Sequence, residues 1–155
     1  MSSPHNEPPM SELANPIRTL KIICGALIAG VVIFGIILSA IIDFEKLHAE
    51  PKLLVLMAAG FGMVMFMTSS YVMFGMLSAQ TDARSDDAGS HLGVMQTAWI
   101  VRFAIIESAS FLNLIVTMIQ DSIITLFVAV LGILLMVVAF PRNSVIESLL
   151  RERMK

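Results

Sequence analysis

The chain has 155 residues, of which 57% are hydrophobic and 14% are charged, and its mean hydropathy is +0.85. Soluble domains carry about 25% charged residues, so this composition excludes an ordinary soluble domain and indicates one integral membrane domain. A net charge of −2 excludes a strongly basic nucleic-acid binder, and the single cysteine, Cys24, excludes an intramolecular disulfide framework.

The sequence predicts an all-α polytopic membrane protein with four transmembrane helices in an antiparallel bundle. Residues 1–16 hold four of the six prolines and are predicted to form a disordered tail. Residues 17–141 form the predicted transmembrane domain, because their long apolar runs can satisfy the backbone in lipid only as helices. The predicted spans cover about residues 20–42, 53–77, 98–119 and 122–140.

The connections between these spans predict the orientation. Residues 120–121 alone link helices 3 and 4, which makes those helices antiparallel neighbours. One roomy connection, residues 78–97, lies on the same side of the membrane as both tails, and these segments carry most of the Lys and Arg. The opposite side has only Lys46 and Lys52. Because Lys and Arg mark the cytoplasmic side, both termini are predicted to be cytoplasmic.

Residues 142–155 are predicted to form an amphipathic cytoplasmic tail. Ser144 and Glu147 match a capping box that would open a short helix, and Leu149 and Leu150 share one face of that helix. An apolar face beside a charged end is typical of a helix that lies on the membrane surface. An unstructured basic tail is the alternative.

Glu107 lies near the middle of helix 3, where an ionised carboxylate costs several kcal/mol unless it is paired or hydrated. At about 100° per residue, Ser110 falls in the same sector of the helix and Asn113 lies about 120° away. Ser69 and Ser70 of helix 2 offer hydroxyl groups at a similar depth. These residues form a candidate polar site, either a contact that holds helices together or a relay for protons or ions.

Arg102 precedes Glu107 by five residues, which separates the two side chains by about 140° around the helix. This spacing favours an Arg102 side chain that extends to the cytoplasmic headgroups beside Trp99. An ion pair with Glu107 is the alternative. Small residues four apart, such as Ala58 with Gly62, are typical of closely packed helices within or between chains.

Two further groups of side chains, methionines in helix 2 and acidic residues in the roomy connection, resemble metal ligands by residue type. Met63 and Met67 have the spacing of a copper(I) path, but methionine also fills gaps between helices. A solvated loop explains the acidic cluster of Asp82, Asp86, Asp87 and His91, whose spacing matches no rigid metal motif. The sequence contains no nucleophile–base or phosphate-loop motif, so we expect no metal, no cofactor and no enzymatic activity.

The last 60 or so residues carry a resemblance to a known group. The matching residues are Gln96-Thr97, residues 104–114 around Glu107, and Phe140-Pro141-Arg142. They resemble a group of four-helix membrane proteins of planctomycete-type bacteria, which implies a bacterial membrane and no known activity. Glu107, Ala104 and the following apolar run are also similar to the carboxylate helix of rotary ATP synthase proteolipids, which implies that Glu107 binds a proton or an ion.

The sequence therefore supports two hypotheses. The leading one is a small non-enzymatic protein of the lipid bilayer that packs through helices 2 and 3, with itself or with a larger membrane complex. The alternative is a proton- or ion-coupled carrier component, similar to a proteolipid, that uses Glu107.

Overall fold

The computed structural model describes residues 10–79 and 88–142, with the side chains of residues 15–78 and 93–142. These ranges form α1 at Met10–Ile41, α2 at Leu53–Ala79, α3 at Ala88–Gln120 and α4 at Ile123–Val138, with a 3-10 turn at Phe44–Lys46. The described part of the chain contains no strand, so the predicted all-α helical bundle is confirmed. The predicted C-terminal surface helix lies outside the described residues.

Three of the helices are long and apolar enough to cross a membrane. Their apolar segments are Asn15–Ile41, Leu53–Ser78 and Gly93–Gln120. At 1.5 Å per residue, each segment exceeds the hydrocarbon thickness of about 30 Å. These helices indicate that the chain is a membrane protein.

The fourth helix is shorter than the other three. α4 has 16 residues, which is about 24 Å of helix. It ends at Val138, and the backbone N–H of the capping residue Ala139 donates to the carbonyl oxygen of Leu135 at 2.9 Å. Pro141, which cannot continue a helix, follows in non-helical backbone and is buried. The predicted run of residues 122–140 thus contains this helix with a short margin at each end.

Two helix starts differ from the prediction. α1 begins at Met10, so residues 10–16 are helical rather than part of a disordered tail, and Pro16 lies inside the helix. α3 begins at Ala88, so residues 88–97 belong to that helix and not to the roomy connection. The physical reason is the same in both cases: loss of apolar character marks where a helix leaves the hydrocarbon layer, whereas the helix itself can continue into a polar environment.

α3 is the central helix of the bundle. α3 and α4 pack against each other, and both α1 and α2 pack against this pair. α1 and α2 make almost no direct contact within the described residues, so they lie on opposite sides of the α3–α4 pair. Gly30 faces Glu107 and Phe34 contacts Phe111, one turn later in both helices, so α1 runs parallel to α3. Thr117 contacts Thr125 and Ser110 contacts Gly132, so α4 runs antiparallel to α3.

The two ends of the bundle differ in charge. We name one the acidic end; its described carboxylates are Asp43, Glu45, Glu50 and Asp121, opposed by Lys46 and Lys52. We name the other the basic end; its described charges are Arg18, Lys21, Arg102 and Arg142. Among the side chains that the structure describes, the basic end has no carboxylate.

Backbone hydrogen bonds tie the two connections at the acidic end together. The His48 N–H donates to the Asp121 carbonyl at 2.9 Å, and the Ile123 N–H donates to the His48 carbonyl at 3.2 Å. Asp121 sits in the left-handed region with φ of 48°, which makes the tight turn from α3 into α4. The α1–α2 connection is thereby fixed against the α3–α4 turn.

Candidate functional site

The predicted polar residues do not form one site. Glu107 faces α1, Ser110 and Asn113 face α2 and α4, and Arg102 lies against α2 nearer to the basic end. Ser69 is buried, with its hydroxyl donating to the carbonyl of Phe66 at 2.7 Å, whereas Ser70 is exposed on α2.

Glu107 is half-buried at the contact between α3 and α1. Its Oε1 lies over Gly30, where an added Cβ would be 3.5 Å away. One turn nearer the acidic end, the rings of Phe34 and Phe111 pack with centroids 5.2 Å apart. Glu107 has no hydrogen-bond or ion-pair partner among the described residues, so its carboxyl is not joined to Arg102 or to the serines of α2.

The surroundings of Glu107 leave its carboxyl open to the outside of the bundle. Ala26, one turn before Gly30, is exposed, and so is Ser108 beside Glu107. The Ser108 hydroxyl donates to the carbonyl of Ala104 at 2.8 Å and so leaves the carboxyl free. We name this small-residue surface the Glu107 notch; it consists of Ala26, Gly30, Ala104, Glu107 and Ser108.

The notch lies within the apolar part of the bundle, nearer to the basic end than to the acidic end. Glu107 is thirteen residues from the end of α3 at Gln120, which is about 20 Å of helix. α1 and α3 are parallel and Phe34 contacts Phe111, so Lys21 of α1 lies at the level of Ala98 in α3. Glu107 is nine residues farther along α3 than Ala98. An acidic side chain at this depth has a large cost unless another group binds it.

A second set of polar groups is buried at the junction of α2, α3 and α4. Asn113 is fully buried, and its Nδ2 donates to the carbonyl of Ala58 in α2 at 3.2 Å and to that of Ala109 at 2.9 Å. The Thr117 and Thr125 hydroxyls are 2.9 Å apart and join α3 to α4. These bonds connect helices within the chain, so Asn113 has a structural role here, and so does Thr125, which the sequence interpretation missed.

Two glycines make this junction possible. A Cβ on Gly62 would lie 2.6 Å from Asn113 Nδ2 and 2.9 Å from Val128 Cγ1. A Cβ on Gly132 would overlap the Ser110 hydroxyl and lie 2.8 Å from the Phe66 ring. The predicted small pair of Ala58 and Gly62 thus packs helices within the chain, whereas nothing in the sequence distinguished Gly132 from the other glycines.

Arg102 lies beside Trp99, and its extension to the headgroups stays a prediction. Its guanidinium carbon is 6.0 Å from the centroid of the Trp99 ring, and its Nη1 donates to the Met73 sulfur at 3.2 Å. The alternative, an ion pair with Glu107, is absent from the described residues. The structure also shows no group of three or more His, Cys, Asp or Glu side chains able to hold a metal within the described ranges.

Comparison with known proteins gives one result for the whole chain. No family model, curated protein or solved structure matches it.

Proposed function

We propose that this chain is a small non-enzymatic integral membrane protein that packs with another membrane helix across the Glu107 notch. The partner helix belongs to a second copy or to a larger membrane complex. The observation that carries the proposal is the Glu107 carboxyl, which reaches the bundle surface within the apolar region without a partner among the described residues. Small side chains around it allow a neighbouring helix to approach closely.

This proposal changes which helices form the contact. The part of α3 that its neighbours leave exposed is a strip with Ser108, Leu112, Ile115 and Ile119, and Ser108 of this strip belongs to the notch. α1 contributes the other side of the notch through Ala26 and Gly30. The proposed contact therefore uses α1 and α3 rather than helices 2 and 3.

We place the protein in a bacterial cytoplasmic membrane with both termini in the cytoplasm. The basic and acidic ends of the bundle support this orientation, because Lys and Arg accumulate on the cytoplasmic side. The resemblance of residues 95–142 to the planctomycete-type group supports a bacterial source.

The second candidate function is a proton- or ion-coupled carrier component. The same unpartnered carboxyl supports it, since a group that must exchange a proton cannot be held permanently by an internal hydrogen bond. The similarity of the Glu107 segment to the proteolipid carboxylate helix supports it as well.

Two substitutions of Glu107 separate these functions. Gln keeps the shape and hydrogen-bonding capacity of the side chain but cannot take up or release a proton, whereas Leu loses both. Under the packing function, Glu107→Gln retains the native complex on a native gel and Glu107→Leu loses it. Under the carrier function, both variants assemble, and both abolish proton flux in liposomes. Ser39→Ala is the control, because Ser39 is exposed on α1 outside the notch and its hydroxyl bonds to the Ile36 carbonyl of the same helix.

Cysteine cross-linking locates the contact. Cys24, the only native cysteine, is buried, so an introduced cysteine reports its own position. We expect Ala26→Cys to cross-link to a copy or a partner in native membranes, and we expect Val130→Cys, exposed on α4, to do so much less. Equal cross-linking at both positions contradicts a contact at the notch.

A further inference from the structure

The basic end of the bundle contains two side chains with N–H donors that lack good hydrogen-bond acceptors in the described structure. Arg102 gives one N–H to the Met73 sulfur, a weak acceptor, and its Nε is buried with no acceptor among the described residues. Trp99 is 5% exposed, and its indole Nε1 also has no acceptor in the described structure. Buried donors without acceptors are costly, so this pair points to an acceptor outside the described residues.

The two side chains belong to the same small region. The Arg102 guanidinium lies over the Trp99 ring at 6.0 Å, and Phe103 packs on the other part of that ring system with centroids 6.2 Å apart. Arg142 follows the end of α4, which runs antiparallel to α3, so it lies at a similar level of the bundle. The charge around this region is positive, and no described carboxylate offsets it.

The depth of this region matches the level of lipid headgroups. Arg102 lies eighteen residues before the end of α3, which is about 27 Å of helix and close to the thickness of a hydrocarbon layer. Side chains of a helix lean toward its N-terminus, and the N-terminus of α3 is at the basic end. Arg102 and Trp99 therefore extend toward the membrane surface rather than toward its centre.

We infer that Arg102 and Trp99 form a binding site for the phosphate of an anionic lipid headgroup at the basic end. A guanidinium binds phosphate oxygens through two parallel N–H bonds, and the indole N–H supplies a further donor. The Met73 side chain is flexible and moves aside to admit the phosphate to the shielded Nε. The acyl chains then lie against the exposed apolar surface of α2, which includes Phe74 and Tyr71. This site does not depend on Glu107.

Lipid titration of the purified full-length protein tests the inference. The protein is held in a neutral detergent, and its melting temperature is followed while phosphatidylcholine or phosphatidylglycerol is added. We expect phosphatidylglycerol to raise the melting temperature and phosphatidylcholine to have a much smaller effect. Equal effects of the two lipids, or the same stabilisation by inorganic phosphate alone, would overturn the lipid site.

Substitutions identify the donors. Arg102→Gln is expected to weaken the apparent phosphatidylglycerol affinity about tenfold, because one charge-assisted contact is lost. Trp99→Phe keeps an aromatic ring, removes the N–H and is expected to weaken it by a smaller factor. Arg18→Gln removes the same charge from the basic end at an exposed position and is expected to change little. An equal loss in Arg18→Gln and Arg102→Gln would show diffuse attraction and refute the site.

Two further variants test alternative explanations of the Arg102→Gln result. Arg102→Lys keeps the charge and the fold but loses the planar donor arrangement, so we expect an intermediate affinity; wild-type affinity in this variant counts against the site. Asp82, Asp86 and Asp87 follow α2 in the sequence. If their carboxylates are the partners of Arg102, phosphatidylglycerol has no effect on the wild-type protein and acts only after all three are changed to Asn, and that result would also refute the inference.

Discussion

Asn113 of α3 donates a hydrogen bond from its Nδ2 to the carbonyl oxygen of Ala58 in α2, across 3.2 Å and between two helices that lie in an apolar environment. The same nitrogen donates to the carbonyl of Ala109 one turn earlier in α3. The bond to Ala58 is possible because Gly62, one turn farther along α2, leaves room for the amide. This pair fixes the rotation of α2 against α3.

Substitution of Gly62 is the most direct test of this close contact. A Cβ at this position would meet Asn113 Nδ2 and Val128 Cγ1 at under 3 Å, so we expect Gly62→Ala to lower the free energy of unfolding by roughly 1–3 kcal/mol. The measurement is denaturant unfolding in mild detergent. Gly60→Ala is the matched control, because no atom lies within 4 Å of its added Cβ. Equal stability of the two variants would contradict the junction.

The hydroxyl contact between Thr117 and Thr125 gives a second prediction. Replacing each by Val, singly and together, measures the coupling between α3 and α4 in a double-mutant cycle. We expect a coupling energy of about 0.6 kcal/mol, the average for hydrogen bonds between membrane helices. Unfolding of all four proteins under the same conditions supplies the value. A coupling of zero would mean that each hydroxyl is satisfied by its own helix, through the carbonyls of Asn113 and Ser122.

The turn at Asp121 predicts a preference for particular side chains. Its φ of 48° is unfavourable for a β-branched residue, so we expect Asp121→Val to destabilise the chain by about 1–2 kcal/mol. Asp121→Gly relieves the backbone and is expected to be close to neutral, since the greater freedom of the unfolded chain offsets that relief. Thermal unfolding of both variants checks the difference. If Val is tolerated as well as Gly, the left-handed turn is wrong.

The charge difference between the two ends predicts the topology. A cysteine introduced at Lys46, on the acidic end, is expected to react with an impermeant maleimide added outside intact cells. A cysteine introduced at Asp86, in the connection that follows α2, is expected to react only after the cells are opened. Labelling of these two positions in the reverse order would place the termini outside.

The apolar runs predicted where the helices lie in the sequence but not which side of each helix is buried. Lipid and protein interior are both apolar, so a helix such as α2 shows no contrast between its lipid side and its packed side. Sequence spacing therefore could not distinguish buried Ser69 from exposed Ser70. It grouped Glu107 with Ser110 and Asn113 because they share one helix, whereas their positions depend on where α1, α2 and α4 approach α3.

The difference between the predicted and observed helix starts has a related cause. Residues 88–97 contain Gly89, Ser90 and Thr97, which are typical of a loop in an apolar chain. In the structure the Thr97 hydroxyl donates to the Gly93 carbonyl of its own helix at 2.9 Å. A polar residue inside a helix can satisfy its hydroxyl in this way, so polarity alone did not give the boundary.

The placement of α1 and α2 on opposite sides of the α3–α4 pair has a consequence for synthesis. The first two helices leave the ribosome as a hairpin whose members pack against later helices rather than against each other. Each must remain in the bilayer as an independent span until α3 enters between them and supplies the shared surface. Completion of the bundle therefore follows insertion of the second half of the chain, and the His48 contact with Asp121 closes only at that stage.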